Sequence, residues 1–498
     1  MTGWTLDRLL DGFAAGAPAL PVTGLAMDSR AVEVGDAFVA VKGSAAHGLM
    51  HLPQALARGA NAILWEPDTG VEAPQAQVPS IAVEKLGQRL GEISARFHGR
   101  PADRMFVAGV TGTDGKTSTA HLIAQAFETY GRACAYLGTL GNGRLGQLDA
   151  ATHTTPNPIA LHANLAAFLE QGMDACAMEV SSHALDQHRV GGVNFDAVVL
   201  TNLSRDHLDY HGTVENYANA KRRLFEAGDA RTLILNRDDE YGAKWIVQIA
   251  QTAQKDQLCV YGIGGERPEH HAFVIGRELA LTESGLSLTL ETQTAQASLS
   301  SPLLGAFNAY NLLAAAAVLL SAGLSLDECA TALQVATTVP GRIEAFRGRE
   351  DQPLVVVDYA HTPRALEQVI AAVRAHVQGE VWCVFGCGGD RDRGKRALMG
   401  HAASLAADHV VITDDNPRSE SPQAIVKDIM SGVVDAHRER VQIEHDRNAA
   451  IAHAISLAKK GDVVLVAGKG HETVQISASG TRPFSDRARV AELLGVSA

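Results

Sequence analysis

Cysteine is scarce in this chain. Only six of the 498 residues are cysteine, and the one close pair, Cys383 and Cys387, has a spacing that fits no familiar metal or redox motif. Reduced thiols and a cytoplasmic protein are expected. Positive charge is also in deficit: 43 Lys and Arg against 56 Asp and Glu leave a formal net charge of -13. That balance argues against general nucleic-acid binding, because affinity for a phosphate backbone rests on clustered cations. An anionic ligand must therefore meet local positive groups. No apolar run is long enough for a membrane span: LLAAAAVLLSAGL, Leu312 to Leu324, falls short of the about 20 residues required and reads as a buried helix. The opening MTGWTLDRLLDGF has no apolar stretch behind a basic region, so no secretory signal is expected. Low-complexity tracts and internal repeats are absent.

What is present is an ordinary globular composition, 46% hydrophobic and 20% charged. At this length a single core stops growing, and roughly three domains of about 150 residues are expected. Two segments rich in Pro, Gly and charge, FHGRPADR (Phe97 to Arg104) and TTVPGRIEAFRGRE (Thr337 to Glu350), mark the boundaries. The expected domains are 1–102, 103–339 and 340–498. The first mixes short strand signals, AFVAV and AILWEP, with the helical pattern LGQRLGEISARFHG. The second opens with the strand-like RMFVAGV, a Gly-rich turn and the helical KTSTAHLIAQAFETYG, and the apolar runs DACAMEV, FDAVVLTNL and RTLILN follow. In the third, LVVVDYA, VWCVFG, DHVVIT and DVVLVAG each precede a loop. This alternation predicts an α/β fold with doubly wound, mostly parallel sheets, in which ligands bind at the carboxyl ends of strands.

The residues after those strands carry the chemistry. In GVTGTDGKTST the loop Gly112, Thr113, Asp114, Gly115, Lys116, Thr117, Ser118 lies between a strand and a helix. Its backbone N–H groups and helix N-terminus favour an anion, Lys116 adds charge, and the Thr117 hydroxyl suits Mg²⁺. The spacing is one residue longer than the usual Walker pattern; the bland alternative is a Gly-rich turn. Glu179 closes DACAMEV and is followed by Ser181, Ser182 and His183, while the next strand runs into NLSRDHLDYHG with His207. Mg²⁺ prefers oxygen ligands such as Glu179 and Thr117. His207, Asp209 and His211 raise zinc as an alternative, without a thiol or further spaced ligand to support it. Lys221, in the helical NYANAKRRLFEAG, reads from its neighbours as a solvated lysine. In VVITDDNPRSESP an amide, two acids and Arg418 stand where the chain leaves a strand; a guanidinium there can grip a carboxylate with two parallel N–H bonds.

Taken together, GTDGKTST, EVSSHALDQHR, TNLSRDHLDYHG, GAFNAYNLLAA, DYAHTP and DDNPR resemble the Mur ligase family of ATP-dependent amide-bond ligases, in order and over essentially the whole chain. Within it, LAMDSR and DDNPR resemble the members that add meso-diaminopimelate to UDP-N-acetylmuramoyl-L-alanyl-D-glutamate in peptidoglycan precursor synthesis. The resemblance implies a smaller N-terminal α/β domain for the uridine nucleotide, a central P-loop ATPase sheet and a C-terminal Rossmann-like sheet for the incoming amino acid. It implies that Met27, Ser29 and the loop residues Ser44, Ala45 and Ala46 hold the UDP end, and that Thr154, Thr155, Ser181, Gln187 and Arg189 contact the muramoyl dipeptide. ATP as co-substrate is implied at residues 112–118 and at Asn308, Asn311, Arg342 and Asp358. Mg²⁺ is implied at Thr117, Glu179, His207 and a carbamate on Lys221. Lys116, Lys221, Glu179 and His207 are thus the implied catalytic set.

Diaminopimelate is implied at Arg391, Asp415, Asn416, Pro417, Arg418, Gly468 and Glu472. Diaminopimelate resembles lysine with a further carboxylate at its far end, which Arg418 would attract while repelling the ammonium of lysine. Two positions depart from the family pattern, His153 and Asp114, where Asn is commoner; Asp114 is tolerable near phosphates if it points away or caps the helix. The base for the attacking amine, His183 or His361, is left open. The expected partners are these small molecules, with no nucleic acid, no membrane insertion and a monomeric chain. The rival readings are a lysine-adding or other-acceptor member, folylpolyglutamate synthase, and a P-loop ATPase switch.

Overall fold

A computed structural model describes residues 3–43, 46–67, 70–226 and 230–497. They fall into two compact units: one comprises residues 1–262, 266–274 and 314–329, the other residues 263–265, 275–313 and 330–498.

In the first unit, β1 (Leu25–Ala26), β2 (Ala37–Ala40), β3 (Ala62–Trp65) and β4 (Ser80–Ala82) form a parallel sheet in chain order. The helix Leu86–Phe97 lays Leu86, Leu90, Ile93 and Phe97 on it, an apolar stripe at helical spacing. The larger sheet is built from β5 (Phe106–Thr111), β6 (Cys134–Gly138), β7 (Gly141–Arg144), β8 (Gln147–Asp149), β9 (Ala175–Glu179), β10 (Ala197–Leu200), β11 (Thr232–Asn236) and β12 (Leu258–Ile263). Its order is β12-β11-β10-β5-β9-β6-β7-β8. Every residue of β5, β9 and β10 is buried, as strands covered on both faces require. The chain passes from β5 to β6 on one side and later to β10 on the other, so the strand order reverses beside β5. That switch point opens a crevice at the carboxyl end of β5.

In the second unit, β13 (Ala272–Thr282, paired from Ile275), β14 (Gly285–Glu291) and β15 (Gln296–Ser301) make an antiparallel ladder. A second sheet comprises β16 (Glu344–Arg347), β17 (Leu354–Asp358), β18 (Val381–Phe385), β19 (His409–Ile412), β20 (Val441–Ile443) and β21 (Val463–Ala467). Its order is β16-β17-β21-β18-β19-β20, parallel except for the edge strand β16. Helices Pro363–Arg374, Gly394–Ala406 and Pro422–Met430 cover one face, and Arg447–Leu457 and Asp486–Leu494 the other. The doubly wound reading therefore holds. A hairpin of β22 (Val474–Ser477) and β23 (Gly480–Pro483) follows β21.

Residues 312–319 lie inside the helix Ala306–Ser321 and are buried. Among the described residues no helix is long and apolar enough to cross a membrane. All six cysteines are free and buried.

Candidate active site

The crevice at β5 is lined by the glycine loop. Gly112 follows the strand because nothing larger fits: a Cβ there would lie 1.8 Å from Thr201 Oγ1. The loop is held from the end of β10. Thr201 Oγ1 and Asn202 Nδ2 donate to Asp114 O at 2.6 and 3.1 Å, and Asp114 N donates to Asn202 Oδ1 at 2.9 Å. Gly115 is the N-cap of the helix Lys116–Thr129. Asp114 therefore does not cap that helix; its side chain is exposed. Thr113 Oγ1 donates to Ser204 O at 3.2 Å and accepts from Ser204 N at 2.9 Å, while Ser118 occupies the first helical turn.

Two lysines converge on this loop. Lys116 Nζ donates to Gly112 O at 3.0 Å and Thr113 O at 2.8 Å, and Lys221 Nζ donates to the same Gly112 O at 2.7 Å. Lys221 is 1% exposed and stacks 4.5 Å from the centroid of Tyr217. The solvated-lysine reading is thereby corrected. Tyr217, Lys221, Leu224 and Phe225 form one buried helix face, and only Lys221 among them is charged. Their spacing is the signal available in the sequence. Burial, reinforced by Lys116, holds the Lys221 amine well below the ordinary lysine range. Lys116 is lowered by burial too, against the pull of Glu179, Asp114 and Asp206. A buried ammonium without an ion pair costs several kcal/mol, about the scale on which the amine sheds its proton instead.

Strand register brings Glu179 level with the loop, since Val110 of β5 pairs with Glu179 of β9. Its carboxylate is fully buried and crowded with donors. Oε1 accepts from Tyr136 Oη at 2.5 Å and Thr139 N at 2.8 Å; Oε2 accepts from Thr117 Oγ1 at 2.8 Å and Thr139 Oγ1 at 3.3 Å. Thr117 and Glu179 thus bring hard oxygen donors together, the chemistry Mg²⁺ prefers. Tyr136 and Thr139 are not singled out by the sequence, because they come from the end of another strand. His207 stands apart from these two oxygens' hydrogen bonds: its Nε2 lies 3.4 Å from Asp206, and its ring packs edge-on against His183 at 4.9 Å and Tyr217 at 6.1 Å. His211 Nε2 meets Ser182 Oγ at 3.0 Å. No group of three or more His, Cys, Asp or Glu that could hold a metal occurs among the described residues, so the zinc alternative finds no ligand set.

Beside Glu179 lies a polar cluster. Thr155 Oγ1 donates to Glu179 O at 2.9 Å and accepts from Ser181 N at 3.1 Å; Thr154 Oγ1 lies 3.2 Å from Thr139 Oγ1. Arg189 donates to Thr155 O at 2.9 Å and to Gln187 Oε1 at 2.7 Å, and Ser181 caps its short helix through Ala184 N. The five residues expected at the dipeptide therefore form one network. His153 is exposed and meets Thr152 Oγ1 at 3.1 Å. In the small sheet, Ser29 Oγ donates to Gln54 Oε1 at 2.8 Å, Met27 packs on the core, and Ala46 O accepts from Gly43 N at 2.9 Å. Ser44 and Ala45 lie outside the described residues.

The second unit carries the remaining candidates. Asp358 is buried, which raises its pKa, and it accepts from Ile343 N at 2.7 Å and Ala360 N at 2.6 Å. Arg342 stacks 4.9 Å from the centroid of Tyr359. Asn308 and Asn311 hydrogen-bond to each other at 2.9 Å. His361 Nδ1 contacts Tyr359 O at 2.9 Å, and His361 is exposed.

After β19 the chain enters the loop of Asp415 to Arg418. Arg418 takes a left-handed φ of 52°, a strained conformation worth about 1–3 kcal/mol that persists where surroundings enforce it. Here Arg418 N donates to Ile476 O at 3.0 Å and its guanidinium to Gly389 O at 2.9 Å. Gly389 is needed because a Cβ would lie 1.9 Å from Pro417 O. Asp390 clasps Ser419 through its N–H and hydroxyl, and Glu420 accepts from Asp390 N and from the buried Arg396. Asn416 donates to Glu472 Oε2 at 2.9 Å, Gly468 N donates to Asp358 O at 3.1 Å, and burial raises the Asp415 pKa. Arg391 is exposed nearby in the chain. Lys469, just past β21, and Gln475 and Ile476 of β22 brace this loop and are not singled out by the sequence.

A strand, glycine loop and helix at a sheet switch point, with the buried Lys221 and the partly buried Lys116 turned onto the loop, make an α/β arrangement whose chemistry suits phosphate. The comparisons with known proteins narrow the class. Three family descriptions match: "Mur ligase family, catalytic domain" over residues 21–98, "Mur ligase middle domain" over 110–319, and "Mur ligase, glutamate ligase domain" over 341–470. The chain is 50% identical over 483 residues to the UDP-N-acetylmuramoyl-L-alanyl-D-glutamate–2,6-diaminopimelate ligase of Alkalilimnicola ehrlichii, covering 95% of each chain. It is 45% identical to the Pseudomonas aeruginosa protein of the same name, covering 94% of each. A solved structure with that name superposes with a TM-score of 0.80 at 35% identity, covering 99% of each chain. The chain belongs to the Mur ligase family.

Proposed function

We propose that the protein is an ATP-dependent ligase that joins meso-diaminopimelate to the glutamyl side-chain carboxylate of UDP-N-acetylmuramoyl-L-alanyl-D-glutamate, in peptidoglycan precursor synthesis. The observation that carries the reading is the convergence of Lys116 and Lys221 on Gly112 O beside the Thr117–Glu179 pair. The acceptor follows from the names of the relatives and from Arg418, whose guanidinium suits a second carboxylate.

A carboxylate resists attack by an amine because its leaving group would be oxide-like. In the proposed reaction the glutamyl carboxylate oxygen bonds to the γ-phosphorus of ATP as the bond to the bridging oxygen breaks, releasing ADP. The neutral amine of diaminopimelate then attacks the acyl carbon, phosphate departs with its electron pair, and the nitrogen loses a proton. Lys116 offsets the repulsion between two anions. Thr117 and Glu179, with His207 and a carbamate on Lys221, are the residues that would hold Mg²⁺, whose chemistry is to neutralise phosphate charge. The low proton affinity of Lys221 favours the neutral amine that adds to carbon dioxide, giving the carbamate and a proton.

The remaining assignments go with this reading: Thr154, Thr155, Ser181, Gln187 and Arg189 for the dipeptide, Met27, Ser29 and residues 44–46 for the uridine end, Asn308, Asn311, Arg342 and Asp358 for the nucleotide, and Arg391, Asp415 to Arg418, Gly468 and Glu472 for diaminopimelate. So does the division at 1–102, 103–339 and 340–498. The test is phosphate release with ATP and Mg²⁺ across a panel of acceptors. Release is expected only when the nucleotide-linked dipeptide and meso-diaminopimelate are both present; vigorous hydrolysis without either would sink the proposal.

A further inference from the structure

One buried cation has no part in the reaction described above. Lys469 follows Gly468 at the end of β21 and is 0% exposed. Its Nζ donates to Val474 O at 2.7 Å, Glu472 Oε2 at 2.8 Å and Asn416 Oδ1 at 3.3 Å. An ammonium has three N–H donors, so all are spent inside the protein. Asn416 closes the figure. Its Oδ1 also accepts from Ile476 N at 2.9 Å, and its Nδ2 donates to Glu472 Oε2 at 2.9 Å. Lys469, Asn416 and Glu472 therefore form a closed triangle.

The triangle dictates what remains free. Both Lys469 and Ile476 N demand an oxygen at the same atom of Asn416, which fixes its amide orientation. Glu472 Oε2 takes two donors, while Oε1 takes no hydrogen bond among the described residues, and the side chain is 31% exposed. One N–H of Asn416 and one oxygen of Glu472 are left over, a donor for a carboxylate and an acceptor for an ammonium. That pair matches the zwitterionic end of an amino acid. Burial works upward on the Glu472 carboxyl, but the bonds from Lys469 and Asn416 outweigh it and hold the group ionised.

We infer that Lys469 is a positioning residue for the acceptor, presetting Asn416 and Glu472 to receive the ammonium end of the amino acid beside the carboxylate that Arg418 serves. This rests on the diaminopimelate reading of the Asp415 to Arg418 loop. Lys469 itself touches no substrate, and it acts by removing the freedom of two side chains that do.

The test is steady-state phosphate release by the full-length Lys469→Met variant, with thermal melting as the folding control. The expected result is a rise of about 10- to 100-fold in KM for meso-diaminopimelate, with KM for ATP and kcat at saturating acceptor changed by less than about threefold. An unchanged acceptor KM in a folded variant, or an equal loss toward ATP, overturns the inference. Should Lys469→Met fail to fold, Lys469→Met/Glu472→Gln replaces it, since that pair leaves no uncompensated carboxylate. Its acceptor KM should then exceed that of Glu472→Gln alone by several-fold, because Asn416 also loses its Lys469 bond, with KM for ATP unchanged; an acceptor KM equal to that of Glu472→Gln alone overturns the inference. If the wild type proves to use another amino acid, the diaminopimelate reading falls by itself, and the same comparison made with that acceptor still decides the role of Lys469.

Discussion

The glycine loop of the first unit and the Asp415 to Arg418 loop of the second both leave the carboxyl ends of parallel strands, yet they handle charge in opposite ways. At the glycine loop, Lys116 and Lys221 point at backbone carbonyls, and neither forms an ion pair among the described residues. Around the other loop the buried cations are matched: Lys469 with Glu472, Arg396 with Glu420 and Asp428, Arg447 with Asp486. The first arrangement leaves Lys116 without a carboxylate partner and so suited to an arriving polyanion, and leaves Lys221 suited to the neutral amine. The second spends its charges on geometry, fixing the loop that we propose selects the acceptor. Affinity for phosphate needs charge, whereas discrimination between acceptors needs groups that cannot adapt.

That contrast can be broken most forcefully at Lys116. Lys116→Met should lower kcat for phosphate release on the order of 10²–10³-fold, measured with both substrates saturating; a loss below threefold would mean that the uncompensated charge has no function.

Lys221→Met should lose activity nearly as far while melting no lower than the wild type, because it deletes a buried amine. Since burial depresses the Lys221 pKa, the neutral amine persists as pH falls below the ordinary lysine range and is lost only when pH passes the lowered value. A carbamate carbon signal in ¹³C NMR after equilibration with labelled bicarbonate should therefore be present at pH 8 and fade on acidification. Absence of the signal at pH 8 would remove the carbamate from the scheme.

Arg418→Ala addresses the other side of the comparison. It should cut the preference for meso-diaminopimelate over lysine by about 10- to 100-fold with KM for ATP unchanged. An unaltered preference would show that another group discriminates. The mildest expected effect is Tyr136→Phe. Glu179 Oε1 would keep only the Thr139 N–H, a loss of about 1–2 kcal/mol, seen as a KM for ATP raised by about fivefold to thirtyfold.

Much of this architecture is legible in the order of the residues. AFVA, FVAGVT and LVVVD form buried strands, and GTDGKTST forms a loop and helix start, because continuous apolar runs and glycines constrain the backbone locally. Glu179 is legible for the same reason: an acid closing an apolar strand emerges at a sheet edge. The partners that hold it are not, since Tyr136 and Thr139 lie about 40 residues away in the chain. Lys221 is masked by its polar neighbours Arg222 and Arg223, although its helix face gives the contrary signal.

The sequence by itself determined which chemical groups leave the strands and in what order, through hydrophobic period, glycine placement and strand-end residues, all of which act over a few neighbours. Only the tertiary structure decided their electrical state and freedom. Lys221 holds a proton less tightly because burial between helix and loop lowers its pKa, Arg418 is held in a left-handed turn by bonds to Gly389 and Ile476, and Lys469 is enclosed by Asn416, Glu472 and Val474. Burial and strain arise where distant segments pack, and no local pattern of residues encodes the distance between them.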